Sequence, residues 1–504
     1  MRKPPVLVVV LGVFASLAAL LPLGYLLLRL GQGFDKAVDE LSRPRTLELL
    51  GNTIVLVVSV TFTALVIGFL QAWLVTRTNL KAAASFAVLA TLPLAIPSYV
   101  MAFAFTATFS GFSGFFAAWL VLSLATSPYV FIAVSAALVR TDVAAEEVAR
   151  SLGLSKLQVL LRVTWPQVRP AATASSLLVA LYTLSEFGAI SILRFDTFTR
   201  AIYNAYRLSF DRTSAAALAL VLIALTLIVI WFERRYRGDY LPQRTAMQKP
   251  SRISLGKTQP IAVIALTSAA IIGVGIPLYS LMNWSIIGSS TADLGEIAEA
   301  LLGSALVAFG SGFLVSLVAL AVVIWVVRFP SRFSRGIEFS IWATHALPAI
   351  VVALALVFVG ANLLPGIYQT VWMLIFAYLI LFLPNALSAI STPIAQVPRT
   401  LEQVANSLGV KGNRTLYKVV LPMATPGIIA GAALVSLTVL KELPATLLLR
   451  PTELHTLAIR LWSATEELQF AQAAPYALLL VVLAGIPALA LNAQARKAVA
   501  QVSN

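Results

Sequence analysis

The sequence predicts an all-α polytopic membrane protein with about twelve transmembrane helices in two tandem six-helix repeats. Three observations carry that prediction. Of the 504 residues, 59% are hydrophobic and 11% charged, whereas a soluble domain carries about 25% charged residues. Apolar runs of about 20 residues recur along the whole chain, each long enough as a helix to cross a hydrocarbon core of roughly 30 Å. One polar stretch, Glu146-Glu147-Val148-Ala149-Arg150-Ser151-Leu152-Gly153, returns as Glu402-Gln403-Val404-Ala405-Asn406-Ser407-Leu408-Gly409, 256 residues later.

Arg2 and Lys3 precede an apolar run from Val6 to Leu28. It is too long for a signal-peptide core and lacks a small-x-small cleavage pattern, so it reads as a retained first span. Further spans are expected at about 49–75, 83–109, 115–139, 167–193 and 214–232. The second half supplies about 260–283, 301–327, 337–359, 368–390, 423–449 and 471–492. Residues 1–233 thus form a first half, 234–259 a basic linker and 260–504 a second half. The linker holds Arg234, Arg235, Arg237, Arg244, Lys249, Arg252 and Lys257, and a segment so charged reads as a solvated connection.

Basic residues orient the spans, because Lys and Arg concentrate in short cytoplasmic loops. With the N-terminus inside, 25 of the 36 Lys and Arg fall on the cytoplasmic side. Both termini and both copies of the polar stretch are then cytoplasmic. Each half starts on the same side, so the repeats are in tandem rather than inverted. Other landmarks repeat with little drift: Ala95-Ile96-Pro97 with Ala346-Leu347-Pro348, Pro128 with Pro384, Glu186 with Glu442, and Arg194 with Arg450.

Composition also excludes functions. No cysteine is present, so disulfides and thiolate metal sites are ruled out. The net charge of +15 is spread over loops between spans and describes topology and lipid contact, not a nucleic-acid stripe. Ser251 to Thr258 ends in Gly256-Lys257-Thr258 like a phosphate loop, but its first position is serine and no buried strand precedes it. His345 and His455 lack the spaced partners of a zinc site. No catalytic constellation is visible, so the chain reads as no enzyme.

Each polar stretch reads as an amphipathic surface helix; in the first copy Val143, Glu147, Arg150 and Leu154 recur at helical spacing beside Val148 and Leu152, leaving one face apolar and the other charged. Gly153 and Gly409 suit a helix end needing positive φ, and Pro166 and Pro422 suit the first turn of the next span. One such copy could be a plain surface loop. Two copies on one side point to a docking site for two soluble partners.

Glu147-Val148-Ala149, Gly153 and Val163-Thr164-Trp165-Pro166 resemble the "EAA" loop of permease subunits in bacterial ABC importers. The second copy departs at one position, where Gln403 replaces the family glutamate and Glu402 stands one residue earlier. Leu184-Ser185-Glu186-Phe187-Gly188-Ala189 and Lys441-Glu442-Leu443-Pro444-Ala445-Thr446 are similar to the ferric-iron permeases of that family, often fused proteins of this length. The resemblance implies a type I importer permease fold in a bacterial inner membrane. It also implies two copies of a cytoplasmic ATP-binding subunit, which bring ATP and Mg, and a periplasmic substrate-binding protein. No cofactor is expected in this chain. The ATPase-coupling residues implied are Glu146, Glu147, Ala149, Gly153, Pro166, Glu402, Gln403, Ala405, Gly409 and Pro422.

Glu186, Lys441 and Glu442 are ionisable residues at membrane depth, where charges usually face a bundle interior or a water-filled path. Carboxylates suit a hard cation such as Fe³⁺, so Glu186 and Glu442 are candidates for transient contact along a translocation path. The alternative is that they brace helices through hydrogen bonds while Lys441 neutralises a neighbour. Asp196, Asp211, Glu453, Glu466 and Glu467 lie in the outer loops that the resemblance turns toward a binding protein, or are ordinary solvated charges. A thiamine or other small-solute importer, and a secondary transporter needing no ATPase, are the competing functions.

Overall fold

The computed structural model describes residues 4–207, 209, 211–236, 253–288, 293–344, 347–410 and 413–503. Arg2, Lys3, linker residues 237–252, His345 and Ala346 therefore lie outside the described residues. The described chain is helical, with one isolated β-bridge between Thr78 and Ile253.

The first half runs through α1 (Val6–Gln32), α2 (Phe34–Ser42), α3 (Pro44–Arg77), α4 (Ala83–Thr91), α5 (Ser98–Thr108) and α6 (Gly114–Val139). It continues through α7 (Val143–Ser151), α8 (Lys156–Val159), α9 (Trp165–Ser185), α10 (Gly188–Ile192), α11 (Phe198–Arg207) and α12 (Arg212–Tyr236). The second half runs through α13 (Gln259–Ala270), α14 (Ile276–Ile287), α15 (Leu294–Arg328), α16 (Arg332–Ala343), α17 (Ala349–Asn362) and α18 (Val371–Gln396). It ends with α19 (Arg399–Ser407), α20 (Asn413–Thr415), α21 (Leu421–Lys441), α22 (Pro444–Leu449), α23 (Leu457–Glu466) and α24 (Phe470–Ser503). From α3 and α15 onward the two series repeat element by element.

Nine helices among the described residues are long and apolar enough to cross a membrane. Four predicted spans are broken rather than continuous, including 423–449, whose longer part Leu416–Lys441 is one of the nine. The span at 83–109 bends by 93° between the helical stretch Ala83–Ala95 and α5. The break falls at Ile96-Pro97, because the residue before a proline is driven out of the helical region, and Ile96 has φ −93° and ψ 116°. The span at 337–359 is split likewise into α16 and α17, with Pro348 immediately before α17. Predicted spans 167–193 and 423–449 are interrupted at Glu186 and Glu442.

Two compact units form. One contains Asp39–Phe210 and Leu218–Trp284; the other contains Met1–Val38, Asp211–Ala217 and Ser285–Asn504. The opening helix of each half is thus counted with the unit built by the other half. In the first unit α3, α6 and α9 pack together; in the second α15, α18 and α21 do, joined by α24 and α1. Small residues allow the close approach expected between membrane helices. A Cβ on Gly68 of α3 would lie 2.6 Å from Val130 Cβ and 2.7 Å from the Ser127 carbonyl oxygen, both on α6. The opposite face of α3 exposes Val55, Val58 and Phe62, an apolar stripe suited to lipid.

Candidate functional site

The duplicated polar stretches form α7 and α19, two short helices with matching ends. Asp142 caps α7, its Oδ1 accepting the Ala145 N–H at 3.2 Å, which satisfies one of the free donors of the first turn. Gly153 stands past the other end with φ +84°. The Leu154 N–H reaches back to the Ala149 carbonyl at 3.1 Å and the Gly153 N–H to Arg150 at 2.9 Å, the paired closure of a helix ended by a left-handed residue. Gly409 has φ +86°, and the Val410 N–H closes on Ala405 at 2.9 Å. Nothing lies within 4 Å of a Cβ built at either glycine, so backbone conformation rather than space selects the residue.

The inward face of α7 is not the apolar one that spacing predicts. Glu146 and Ala149 are buried, whereas Val148 and Leu152 are 58% and 76% exposed. In α19 Ala405 is buried, and Val404 and Leu408 are 55% and 78% exposed. Glu147 and Gln403 are both exposed, so the Glu-to-Gln difference between copies does not alter inward packing. Two matched apolar pairs are thus presented outward.

A carboxylate can face inward because a cation waits for it. Arg77, at the C-terminus of α3, is buried and ion-paired with Glu146. Its other terminal nitrogen donates to the Thr141 hydroxyl at 3.0 Å, and the Thr164 hydroxyl donates to the second Glu146 oxygen at 2.8 Å. The Trp73 ring lies 5.8 Å from the guanidinium carbon, within cation–π range. Removing one partner of such a buried pair costs about 3–5 kcal/mol, since the other charge is stranded. In the second half Arg328 meets Glu402 at 3.1 Å and also donates to the Ile394 and Val397 carbonyls at 2.9 and 3.1 Å. Val420 stands where Thr164 stands in the first copy and brings no hydroxyl. Sequence reasoning missed Arg77 and Arg328. Their separation, 251 residues, equals that of Pro97 and Pro348, and a search for repeated basic residues at that spacing finds them.

Pro166 and Pro422 do not open a fresh helix. Helical backbone continues from α8 through a π turn at Leu160–Thr164 into α9, and from α20 through a π turn at Leu416–Val420 into α21. A third π turn, Ile271–Gly275, precedes Pro277 in the same way. Each ends two residues before a proline. The proline lacks an N–H and its ring crowds the carbonyl four residues back; widening the turn by one residue relieves that clash and keeps the axis unbroken.

Glu186 and Glu442 adopt the same extended backbone, ψ 128° and 127°, at the C-terminal ends of α9 and α21. Glu186 accepts the Ala189 N–H at 2.9 Å and the Ser98 hydroxyl at 2.8 Å, and Tyr182 donates to Ser98 at 3.0 Å. Glu442 accepts the N–H groups of Ala445 and Thr446 at 2.8 and 3.1 Å and the Thr446 hydroxyl at 2.9 Å. Each carboxylate therefore caps the short helix that follows it, α10 or α22. Lys441 is the last residue of α21. A cavity of about 20 Å³, room for one water, lies beside Glu442 between Ser304, Tyr378, Thr446 and Thr456.

Among the described residues no group of three or more His, Asp or Glu is placed to hold a metal. Gly256-Lys257-Thr258 is a single 3₁₀ turn leading straight into α13, unlike a phosphate loop. Of the outer-loop acids, Asp196 pairs with Arg200 at 2.6 Å and Asp211 caps α12 through Thr213 and Ser214. Glu453, Glu466 and Glu467 are exposed.

Residues 64–237 and 317–498 each match the family described as binding-protein-dependent transport system inner membrane component. The chain is 35% identical to the Fe(3+)-transport system permease protein FbpB 2 of Haemophilus influenzae, over 98% of this chain and 100% of that protein. It is 26% identical to the probable ABC transporter permease protein y4fN of Sinorhizobium fredii, over 85% and 82% of the two chains. The sulfate transport system permease protein CysT of Salmonella typhimurium is 28% identical over 43% of this chain and 86% of its own.

Proposed function

The chain belongs to the family of binding-protein-dependent transport system inner membrane components, and we propose that it is the fused permease of an ATP-driven importer for ferric iron. It is a multi-pass membrane transport subunit and not an enzyme. The observation that carries the iron assignment is the end-to-end likeness to a relative named for Fe(3+) transport. The duplicated helices α7 and α19, with their outward apolar pairs Val148 and Leu152, Val404 and Leu408, support the drive. Each fits a groove in one of two cytoplasmic ATP-binding subunits.

In this reading both termini, α7 and α19 face the cytoplasm, as the distribution of Lys and Arg suggests. ATP and Mg bind in the partner subunits. Their closure draws α7 and α19 together and shifts the permease between inward-open and outward-open states. A periplasmic binding protein supplies the iron from the other side. Direction follows because ATP and cargo each favour one state, and a ligand shifts an equilibrium only through unequal affinity. Glu186 and Glu442 are engaged in capping, so any contact they make with passing iron is transient, in keeping with a path that must release its cargo.

The test is reconstitution of the purified permease, its ATP-binding subunits and the binding protein in proteoliposomes. Iron uptake is expected with ATP on the cytoplasmic side and not with ADP. Full-rate uptake without the ATP-binding subunits, driven by an ion gradient, would overturn the assignment.

A further inference from the structure

The point where the chain leaves the linker is fastened to the residue that holds α7. The Ile253 N–H donates to the Arg77 carbonyl at 2.8 Å, and the Asn79 N–H donates to the Ile253 carbonyl at 3.1 Å. Together they form the parallel bridge between Thr78 and Ile253. The Leu255 N–H donates to Asn79 Oδ1 at 2.9 Å. Next to these bonds Leu80, Ala262 and Leu266 form a buried apolar cluster, with Leu255 and Phe86 packed on it, so α13 is joined to the same corner by side chains as well as backbone.

Arg77 thus serves two elements at once. Its guanidinium holds α7 through Glu146, and its carbonyl holds the strand of chain entering α13. We propose that Arg77 is a positioning residue that makes α7, the foot of α3 and the linker exit one rigid piece, so that a stroke on α7 reaches α3 and α13 together. The inference rests on the importer reading above. Since Val148 and Leu152 point outward, the ionic clamp is an inward grip on α7, beside the buried Ala149. The Glu402 side chain is 22% exposed against 4% for Glu146, so α19 is held by a wetter and weaker clamp.

The reconstituted complex tests this through the ratio of iron moved to ATP hydrolysed, which a merely structural role would not change. Glu146→Gln keeps the size and an acceptor for Thr164 but removes the charge. It should lower the ratio about ten-fold, within the range of typical coupling energies, while the ATP-binding subunits co-purify in normal amount. Glu402→Gln should lower it less. An unchanged ratio in Glu146→Gln, or equal falls in both variants, overturns the proposal.

A second variant covers failure of Glu146→Gln to fold. The chain has no cysteine, so Thr78→Cys with Ile253→Cys introduces its only two thiols. Bridge partners stand about 5 Å apart, within reach of a disulfide. If the piece moves as one, oxidation leaves uptake unchanged. Inhibition on oxidation, reversed by a reductant, would show that the two segments part during the cycle and would end the proposal. Absence of ATP-driven uptake in the unmodified complex would remove the importer reading, and this inference with it, before either variant is compared.

Discussion

Glu442 accepts the N–H of Ala445 at 2.8 Å, and Glu186 accepts that of Ala189 at 2.9 Å. The same break in two halves is held by the same contact, three residues ahead in each. Replacing either by alanine strands buried donors, at about 1–3 kcal/mol, and should lower the thermal midpoint of the purified permease. Glutamine keeps one acceptor and should cost less. Iron uptake by the glutamine variants should remain substantial. Its loss in a stably folded Glu186→Gln with Glu442→Gln protein would make the charge itself part of the path.

Leu152 and Leu408 are exposed, so Leu152→Asp with Leu408→Asp should leave the thermal midpoint of the permease alone close to wild type. Surface substitutions away from special features usually change stability by less than about 0.5 kcal/mol. If α7 and α19 dock as proposed, the same pair should release the ATP-binding subunits, because each places a charge on the outward apolar pair. Affinity capture through the permease, followed by quantitation of the bound ATPase, gives the result.

Gly153→Val and Gly409→Val add no clash in the isolated chain, since nothing lies within 4 Å of the built Cβ. They do force a β-branched residue into left-handed backbone, at a cost of about 1–2 kcal/mol. Local fraying of α7 or α19 is expected, seen as faster amide exchange at Gly153–Leu154 or Gly409–Val410. ATPase attachment should weaken in step. Unaltered exchange at those amides would remove glycine's conformational role.

Asp211 supplies a pH dependence outside the membrane. Burial raises its carboxyl pKa, but the N–H and hydroxyl of Ser214, the N–H of Thr213 and the Lys36 ammonium outweigh burial and hold it below the ordinary 3.8. A carboxyl lowered in the folded state stabilises fully above its unfolded value, and that contribution is lost as pH falls through the folded value. Amide protection at Thr213 and Ser214 should therefore be flat from neutral pH down to about 5 and decline only below the ordinary carboxylate range. Asp211→Asn should keep the cap and abolish that acid-side decline.

What could be read from the residues alone was what periodicity and repetition encode. Long apolar runs announce spans by length, and the recurrence of Gly153 as Gly409 reveals duplication without any knowledge of contacts. The breaks at Glu186 and Glu442 were hidden, because glutamate is an unremarkable helix residue and its capping role depends on the chain turning back. The burial of Glu146 was hidden for a related reason. Amphipathic spacing assigns a carboxylate outward, and only the arrival of Arg77 from α3, far away in sequence, reverses that. Val148 and Leu152 show the complement: an apolar face points outward, away from the bundle.

The π turns at Leu160–Thr164 and Leu416–Val420 have a further consequence. One residue inserted into an α-helical repeat of 3.6 advances everything upstream by about 100° in azimuth. Shortening Leu160–Thr164 by a single residue would therefore rotate α8 against α9 by that angle and swing Thr164 away from Glu146. The extra residue works like a vernier, fixing which compass direction α7 faces.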